Sequence, residues 1–314
     1  MPATPPVSRP FDLADESAYR RWRERKLDRY PRATKELVVP IRNPSRPDAA
    51  EDREILTRCR KANMAIYATA GGQMADKERI RSFASRFGLV RLDHNLRADE
   101  DSITSLRVQP VSAGTHYIPY TNRPLNWHTD GYYNPLDEQV RGILMHCVSA
   151  AAAGGENLFL DHEIAYLLMR DENPDYIAAL MQPDAMTIPP NTENGRVIRA
   201  RQTGPVFSVE KPGGRLHMRY TARTRSIAWK DDRITRLAVG FLGELLDSGM
   251  DYIFRHRLQA GQGIICNNIL HRREAFSDDP GSGQERLLYR ARFHDPIRGT
   301  EPECTGNGVA ECCG

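Results

Sequence analysis

Three short segments carry side chains that could do chemistry together. His128 and Asp130 lie two apart in Leu125-Asn-Trp-His-Thr-Asp130. On a strand that spacing puts both side chains on one face, where an imidazole nitrogen and a carboxylate oxygen can meet the same divalent metal. A further histidine would complete two imidazoles and one carboxylate, a set that leaves positions open on an octahedral iron. His271 is a candidate, because it ends an apolar strand after a tight turn, Gly263-Ile-Ile-Cys-Asn-Asn-Ile-Leu-His271. Past a charged loop comes Arg286-Leu-Leu-Tyr-Arg290-Ala-Arg292. There the planar guanidinium of Arg286 could clamp a carboxylate at two points. An apolar pocket with such an arginine beside an open metal suits a dicarboxylate co-substrate such as 2-oxoglutarate. His-x-Asp alone is a common accident, so the weight rests on all three segments.

The elements that must position these residues are legible from periodicity. DREILTRCRKANMAIYA, from Asp52, predicts a helix with Ile55, Leu56, Cys59 and Ala62 on one face, running into a short strand. DKERIRSFASRFG predicts a second helix, capped by Asp76 and stopped by Gly88. RITRLAVGFLGELLDSG predicts a third, and HEIAYLLMR and NPDYIAALM two shorter ones. Between and after them lie many short β-rich pieces, among them GILMHCVSA, GENLFLD, GIICNN and RLLYRARFHD. Strands at that spacing favour a sandwich or barrel over a parallel βαβ sheet. No Gly-rich phosphate loop of the P-loop or Rossmann kind occurs. Upstream, Asp15–Leu27 predicts an extension helix lying on the body, and Pro40, Pro44 and Pro47 punctuate a linker. The expected organisation is an N-terminal arm and extension helix over 1–50, a catalytic domain over 51–300 and a Cys-containing tail over 301–314.

Composition narrows the class. The chain has 314 residues, with 44 Lys and Arg against 41 Asp and Glu, a formal surplus of +3. That surplus does not by itself favour a nucleic-acid partner. No apolar run approaches the roughly 18 residues needed to cross a bilayer, and the N-terminus lacks an apolar signal-peptide core. Six cysteines in a chain this long do not make a disulfide scaffold. A cytoplasmic globular enzyme or binding protein is expected, with a homo-oligomer left open.

Taken together, the motifs resemble those of the iron(II)/2-oxoglutarate-dependent dioxygenases of the taurine dioxygenase (TauD/TfdA) and γ-butyrobetaine hydroxylase superfamily. WHTD resembles the family's first motif, and GILMHCVSAAAAGGENLFLD the strand, spacer and Gly-Gly turn that follow it. NNILHRREAF resembles the distal-histidine motif, and RLLYRAR the arginine strand, in the right order across residues 52 to 296. The resemblance implies a fold that is mostly β with flanking helices, around a double-stranded β-helix (jelly-roll, cupin-like) core. It implies that the major sheet carries His128 and Asp130 on one strand and His271 on another, as the ligands of Fe(II). It makes Arg286 the partner of the distal carboxylate of 2-oxoglutarate, with Asn157 at a polar position that contacts the same co-substrate. Arg290 falls where taurine dioxygenase holds its substrate's sulfonate, which implies an anionic or zwitterionic small substrate. The implied reaction oxidises a C–H bond with O2 and releases succinate and CO2, with ascorbate a candidate reductant.

Other residues carry weaker expectations. His116, Tyr120 and Asn122 precede the metal strand and are candidates to line the substrate pocket. Tyr132 and Tyr133 follow Asp130; packing is favoured over an aromatic cage for a cation. Cys304, Cys312 and Cys313 have no standard zinc spacing and read as part of a tail. Two alternatives stand beside the enzyme: a non-catalytic jelly-roll sensor of metal or 2-oxoglutarate, and an oxygenase acting on a nucleic acid or protein. The Arg-rich stretch Arg20 to Arg32 motivates the second.

Overall fold

Strand alternation divides the apolar residues into two cores, one on each face of a large sheet. The computed structural model describes residues 9–302, apart from 47, 71, 95–100, 110–117, 194, 212–213, 224 and 226. In chain order the principal strands are β1 (Val38–Pro40), β2 (Met64–Ala68), β3 (Ile103–Leu106), β4 (Leu125–His128), β5 (Gly142–Ser149), β6 (Asn157–Leu160), β7 (Phe254–His256), β8 (Gln262–Cys266), β9 (Leu270–Arg273) and β10 (Leu287–Phe293). Six of them form the larger sheet in the order β1-β2-β8-β5-β10-β3, and four form the smaller in the order β7-β6-β9-β4. All pairings in the two sheets are antiparallel except β1 with β2.

Ile143, Met145 and Cys147 of β5, with Ile264 and Cys266 of β8, point into a core shared with Trp127, Phe159 and Leu270 of the smaller sheet. The alternate residues Leu144 and Ile265, with Ala291 and Phe293, point the other way. They meet Ile55 and Cys59 of α2 (Ala49–Ala62) and Ile80, Phe83 and Ala84 of α3 (Lys77–Ser85). A sheet buried on both faces requires this period-two division, and the apolar runs at 142–150 and 263–268 supply it. The resulting architecture is a jelly-roll with helices on its flank.

The helices start where side chains can accept the free N–H groups of their first turns. Asp48, Asp76, Asp161 and Asp232 cap α2, α3, α4 (His162–Glu172) and α6 (Arg233–Asp247), and Asn173 caps α5 (Pro174–Leu180). α2 therefore begins three residues before Asp52. The proline-marked segment also departs from a plain linker: Val38–Pro40 pairs with Ile66–Ala68 at the edge of the larger sheet. Proline is tolerated there because an edge strand need not donate on its outer side.

The N-terminal helix α1 (Glu16–Arg29), capped by Asp15, is built into the body. Trp22 packs edge-on to Phe11 and Tyr166, and Tyr19 donates to Asp171 at 2.7 Å. Arg20 pairs with Glu16 and Arg23 with Asp171, so part of the Arg-rich stretch is neutralised within the fold. Beneath them Lys26 is excluded from water and contacts Asp161 at 2.6 Å and Glu163 at 2.5 Å. The cysteine cluster Cys304, Cys312 and Cys313 lies outside the described residues.

Removing Lys26 would strand two buried carboxylates at the start of α4. Lys26→Met is expected to cost roughly 3–5 kcal/mol, the usual consequence of breaking a buried ion pair on one side. Urea unfolding would show this as a lower midpoint with an unchanged slope. A midpoint equal to the parent's would mean that α1 adds no stability through this contact.

Candidate metal centre and the pocket beside it

The two histidines meet because of strand register. His271 of β9 lies directly opposite His128 of β4, and their rings are 4.3 Å apart between centroids. Both come from the smaller sheet, which corrects the expectation that the major sheet carries them. Asp130 lies just past the end of β4, in a turn where Gly131 adopts φ +65°. A side chain at Gly131 would collide with Val140, so the turn needs glycine for space as well as for backbone freedom.

Each imidazole is held by its own strand. The Nδ1–H of His128 donates to the Asn126 carbonyl at 2.8 Å, and that of His271 to the Ile269 carbonyl at 3.0 Å. A carbonyl can only accept, so Nδ1 carries the proton and Nε2 keeps its lone pair for a ligand. Burial, and then repulsion from His271, lowers the His128 pKa to about 3 despite the nearby Asp130 carboxylate. Burial lowers His271 as well. The ligand atoms of His128, Asp130 and His271 all lie within 4.8 Å of one another.

Asp130 is prepared in a different way. Burial pushes its carboxyl up, but Arg290 and Arg292, with the two imidazoles, outweigh that and hold it below the usual carboxylate range. Arg290 donates to Oδ1 at 3.1 Å, while Oδ2 is buried with no hydrogen-bond partner. Asn268 clamps the backbone of the same residue: its Oδ1 accepts from Asp130 N at 2.8 Å and its Nδ2 donates to Asp130 O at 2.9 Å. Two free imidazole lone pairs and an orphaned carboxylate oxygen fit a divalent first-row metal of borderline softness. The sequence reading missed Asn268, although its place three residues before His271 and its positive φ of 47° mark a special turn. Arg290, expected to meet an anionic substrate, is buried and gives one N–H to Asp130, a cation that the buried carboxylate needs.

Arg286 behaves otherwise. It immediately precedes β10, is 6% exposed, and has no carboxylate partner among the described residues. Burial lowers its pKa to about 10, so it stays charged at neutral pH. Cys147 beside it cannot serve as the counter-ion, since burial raises that thiol to about 11. Arg286, Asn157, Cys147, Arg257 and Leu288 line one small cavity. Gly154 and Gly155 shape its rim. A Cβ on Gly154 would strike the Ala275 carbonyl, and one on Gly155 would crowd Phe276. Phe276 is flanked by the guanidinia of Arg286 and Arg273, each 4.9 Å from its ring centre.

Register links this cavity to the histidines. On β6, Phe159 pairs with His271, and Asn157 pairs with Arg273. The cavity therefore lies two residues along from His271, about 6.6 Å at strand spacing. Asn122 is exposed and offers its backbone carbonyl to Phe276 N, Tyr120 packs half-buried against the main core, and His116 lies outside the described residues. Arg257, which hydrogen-bonds the Ala151 carbonyl at the cavity edge, was not singled out, and no motif marks it.

Comparison with known proteins agrees with this geometry. The sequence model of the family described as "Taurine catabolism dioxygenase TauD, TfdA family" matches residues 70–292. A uridine-5'-phosphate dioxygenase from Amycolatopsis is 30% identical over 182 residues, 55% of this chain and 62% of the relative; the match thus spans less than two thirds of that protein. Among solved structures, AAD-2 with Mn(II) and N-oxalylglycine superposes with a TM-score of 0.59 at 15% identity, over 85% of this chain and 98% of that one. The non-haem iron oxygenase OrfP with Fe, succinate and (3S)-hydroxy-L-Arg gives 0.58 at 16%, over 79% and 81%. At those identities the two structures speak for the fold alone.

If the three buried side chains hold a metal, their loss and the loss of their brace should differ in degree. Asp130→Ala should abolish stoichiometric Fe(II) binding in an anaerobic titration, with the circular dichroism spectrum retained. Asn268→Ala should weaken it about 10- to 100-fold, the usual range for a residue that orients a ligand. Parent-like affinity in both variants would dismiss the cluster as a metal site.

Proposed function

The chain belongs to the TauD/TfdA family of dioxygenases, and from that premise we propose that it is a non-haem iron(II) oxygenase that uses 2-oxoglutarate to oxidise a C–H bond of a small phosphorylated substrate. The observation that carries the reading is a buried arginine whose guanidinium forms no ion pair among the described residues, in a cavity two residues along the sheet from a buried set of two histidines and an aspartate. Such a cation is costly unless an anion joins it.

In this reading His128 and His271 would hold the iron through Nε2, and Asp130 would hold it through a carboxylate oxygen. Arg286 takes the far carboxylate of 2-oxoglutarate in a charge-assisted pair, and Asn157 offers its amide in the same cavity. Iron and 2-oxoglutarate together supply the oxidising power: one oxygen atom of O2 enters succinate as CO2 leaves, and the other enters the substrate as hydroxyl. Arg290 keeps Asp130 anionic and oriented. Leu288 and Leu258 dry the co-substrate cavity, which strengthens its ion pair. Ascorbate would serve to keep the iron reduced.

The phosphorylated class of substrate rests on the likeness to a protein named for uridine 5'-phosphate, and a nucleoside 5'-monophosphate is the class to test first. Succinate formation should be followed with uridine 5'-monophosphate, other nucleoside monophosphates, sulfonates and amino acids. Phosphate-dependent turnover supports the reading; turnover with non-phosphorylated compounds alone removes the substrate class, and metal and 2-oxoglutarate binding without turnover favours a sensor.

Arg286→Ala is expected to leave the co-substrate's carboxylate unpaired in a dry cavity, at a cost of roughly 3–5 kcal/mol. That corresponds to a rise of several hundred-fold or more in the apparent constant for 2-oxoglutarate. Calorimetric titration without oxygen measures it directly. A change below about fivefold would relieve Arg286 of that role.

A further inference from the structure

Arg290 already gives Nη1 to Asp130, so a substrate end with close to two negative charges calls for a second cation near the cluster. The segment Arg219–Arg223 runs beside the free edge of β4. Thr221 pairs antiparallel with His128, Thr129 N donates to Tyr220 O, and Ala222 N donates to Trp127 O. A directly opposed pair shares a face, so Thr221 and its alternates Arg219 and Arg223 lie on the side to which His128 points.

The two arginines then differ by environment. Arg219 is almost wholly buried and spends its guanidinium on the carbonyls of Tyr132, Met186, Gly204 and Gln202. It fixes the loop after Asp130 and is not available to a ligand. Arg223 is exposed, has no acidic partner among the described residues, and sits with its guanidinium 6.0 Å from the Tyr132 ring centre. Tyr132 lies two residues from Asp130 and stands edge-on to Tyr133, with centroids 5.1 Å apart. On the other side of the pair, Arg199 lies 5.3 Å from the Tyr133 ring centre and donates to Pro189 O. Arg292, beneath Tyr133, is committed to Asp93. The aromatic pair is thus ringed by cations, of which Arg223 is exposed and has no acidic partner among the described residues.

We propose that Arg223, seated on Tyr132, is the specificity-determining residue that grips the substrate's phosphate monoester. This rests on the phosphorylated-substrate reading given above. A phosphate monoester carries close to two negative charges at neutral pH, and a planar guanidinium matches two of its oxygens at once. The ring beneath limits the directions the guanidinium can take, so less freedom is lost on binding. Gripped there, the charged end stays at the surface, two residues along from Thr221, which lies opposite His128.

The test is calorimetric titration of protein loaded with Fe(II) and 2-oxoglutarate, without oxygen, so that the Arg286 cavity is already filled. The probes are uridine 5'-monophosphate, uridine and inorganic phosphate. The parent should bind the nucleotide about 10- to 100-fold more tightly than the nucleoside, as one charge-assisted contact supplies. Arg223→Ala should remove most of that difference and leave uridine affinity alone, and Arg223→Lys should restore part of it. Full discrimination retained in Arg223→Ala overturns the assignment. So does a parent that prefers neither phosphate-bearing probe. If the parent binds phosphate through Arg223 but no nucleotide supports succinate formation, the subsite stands and the nucleotide reading falls.

Discussion

The contact between Arg290 and Asp130 is the one on which the site depends. It joins the two sheets, since Arg290 belongs to β10 of the larger sheet and Asp130 follows β4 of the smaller. A carboxylate this deeply buried would take up a proton without a cation beside it, and a protonated acid is a poor metal ligand. The guanidinium offsets the burial and also fixes Oδ1, the oxygen that lies 3.9 Å from His128 Nε2. A one-residue shift in the pairing register of β10 would turn Arg290 to the opposite face and break the arrangement. The apolar packing between the sheets therefore sets the chemistry at their edge as well as the stability of the fold.

The arginines of this region share a residue type and differ in what surrounds them. Arg286 and Arg290 are four apart, and from sequence both belong to one inward face. The guanidinium of Arg290 pairs with Asp130, whereas that of Arg286 forms no ion pair among the described residues, although its backbone N–H donates to Asp278. Arg219 finds only carbonyls, and burial lowers its pKa to about 10. A buried cation that the protein leaves without an anion marks a place for a ligand's anion, whereas one that is paired or saturated with carbonyls marks a structural joint. On that criterion we propose Arg286 as a binding residue, whereas Arg219 and Arg292 are joints and Arg290 braces Asp130.

Much of this was legible in the sequence, and the reasons it stopped are physical. The helix cap at Asp76 and the apolar alternation at 142–150 fix local structure, because their signals are short-range. The motif WHTD and the distal His271 could be read because residue type and order carry them. The pairing of Arg290 with Asp130 could not, because it depends on the distance between two sheets joined by 160 residues of chain. Nor could the sheet that carries the histidines be assigned, since β4 and β9 look like any other short strands until their register is known. Val38–Pro40 reads as linker by composition alone; only its neighbour β2 makes it a strand.

That the N-terminal helix belongs to the body has a consequence at the metal-ligand cluster. Lys26 holds Asp161, whose other oxygen accepts from Asn63 at 3.0 Å; Asn63 in turn accepts from Asn267 at 2.9 Å. Asn267 is bonded through the chain to Asn268, which clamps Asp130. Each member of this line is buried, so each needs its partner's hydrogen bond to remain where it is. The same Asp161 caps α4 and ends β6, the strand that sets Phe159 beside His271. A charge contributed by α1 thus stabilises the polar line that ends at a candidate metal ligand. Asn63 and Asn268 both adopt positive φ, a conformation in which asparagine is tolerated better than most residues. The two strained turns and the hydrogen bonds between them account for why amides stand here in place of the apolar residues that fill the rest of the core.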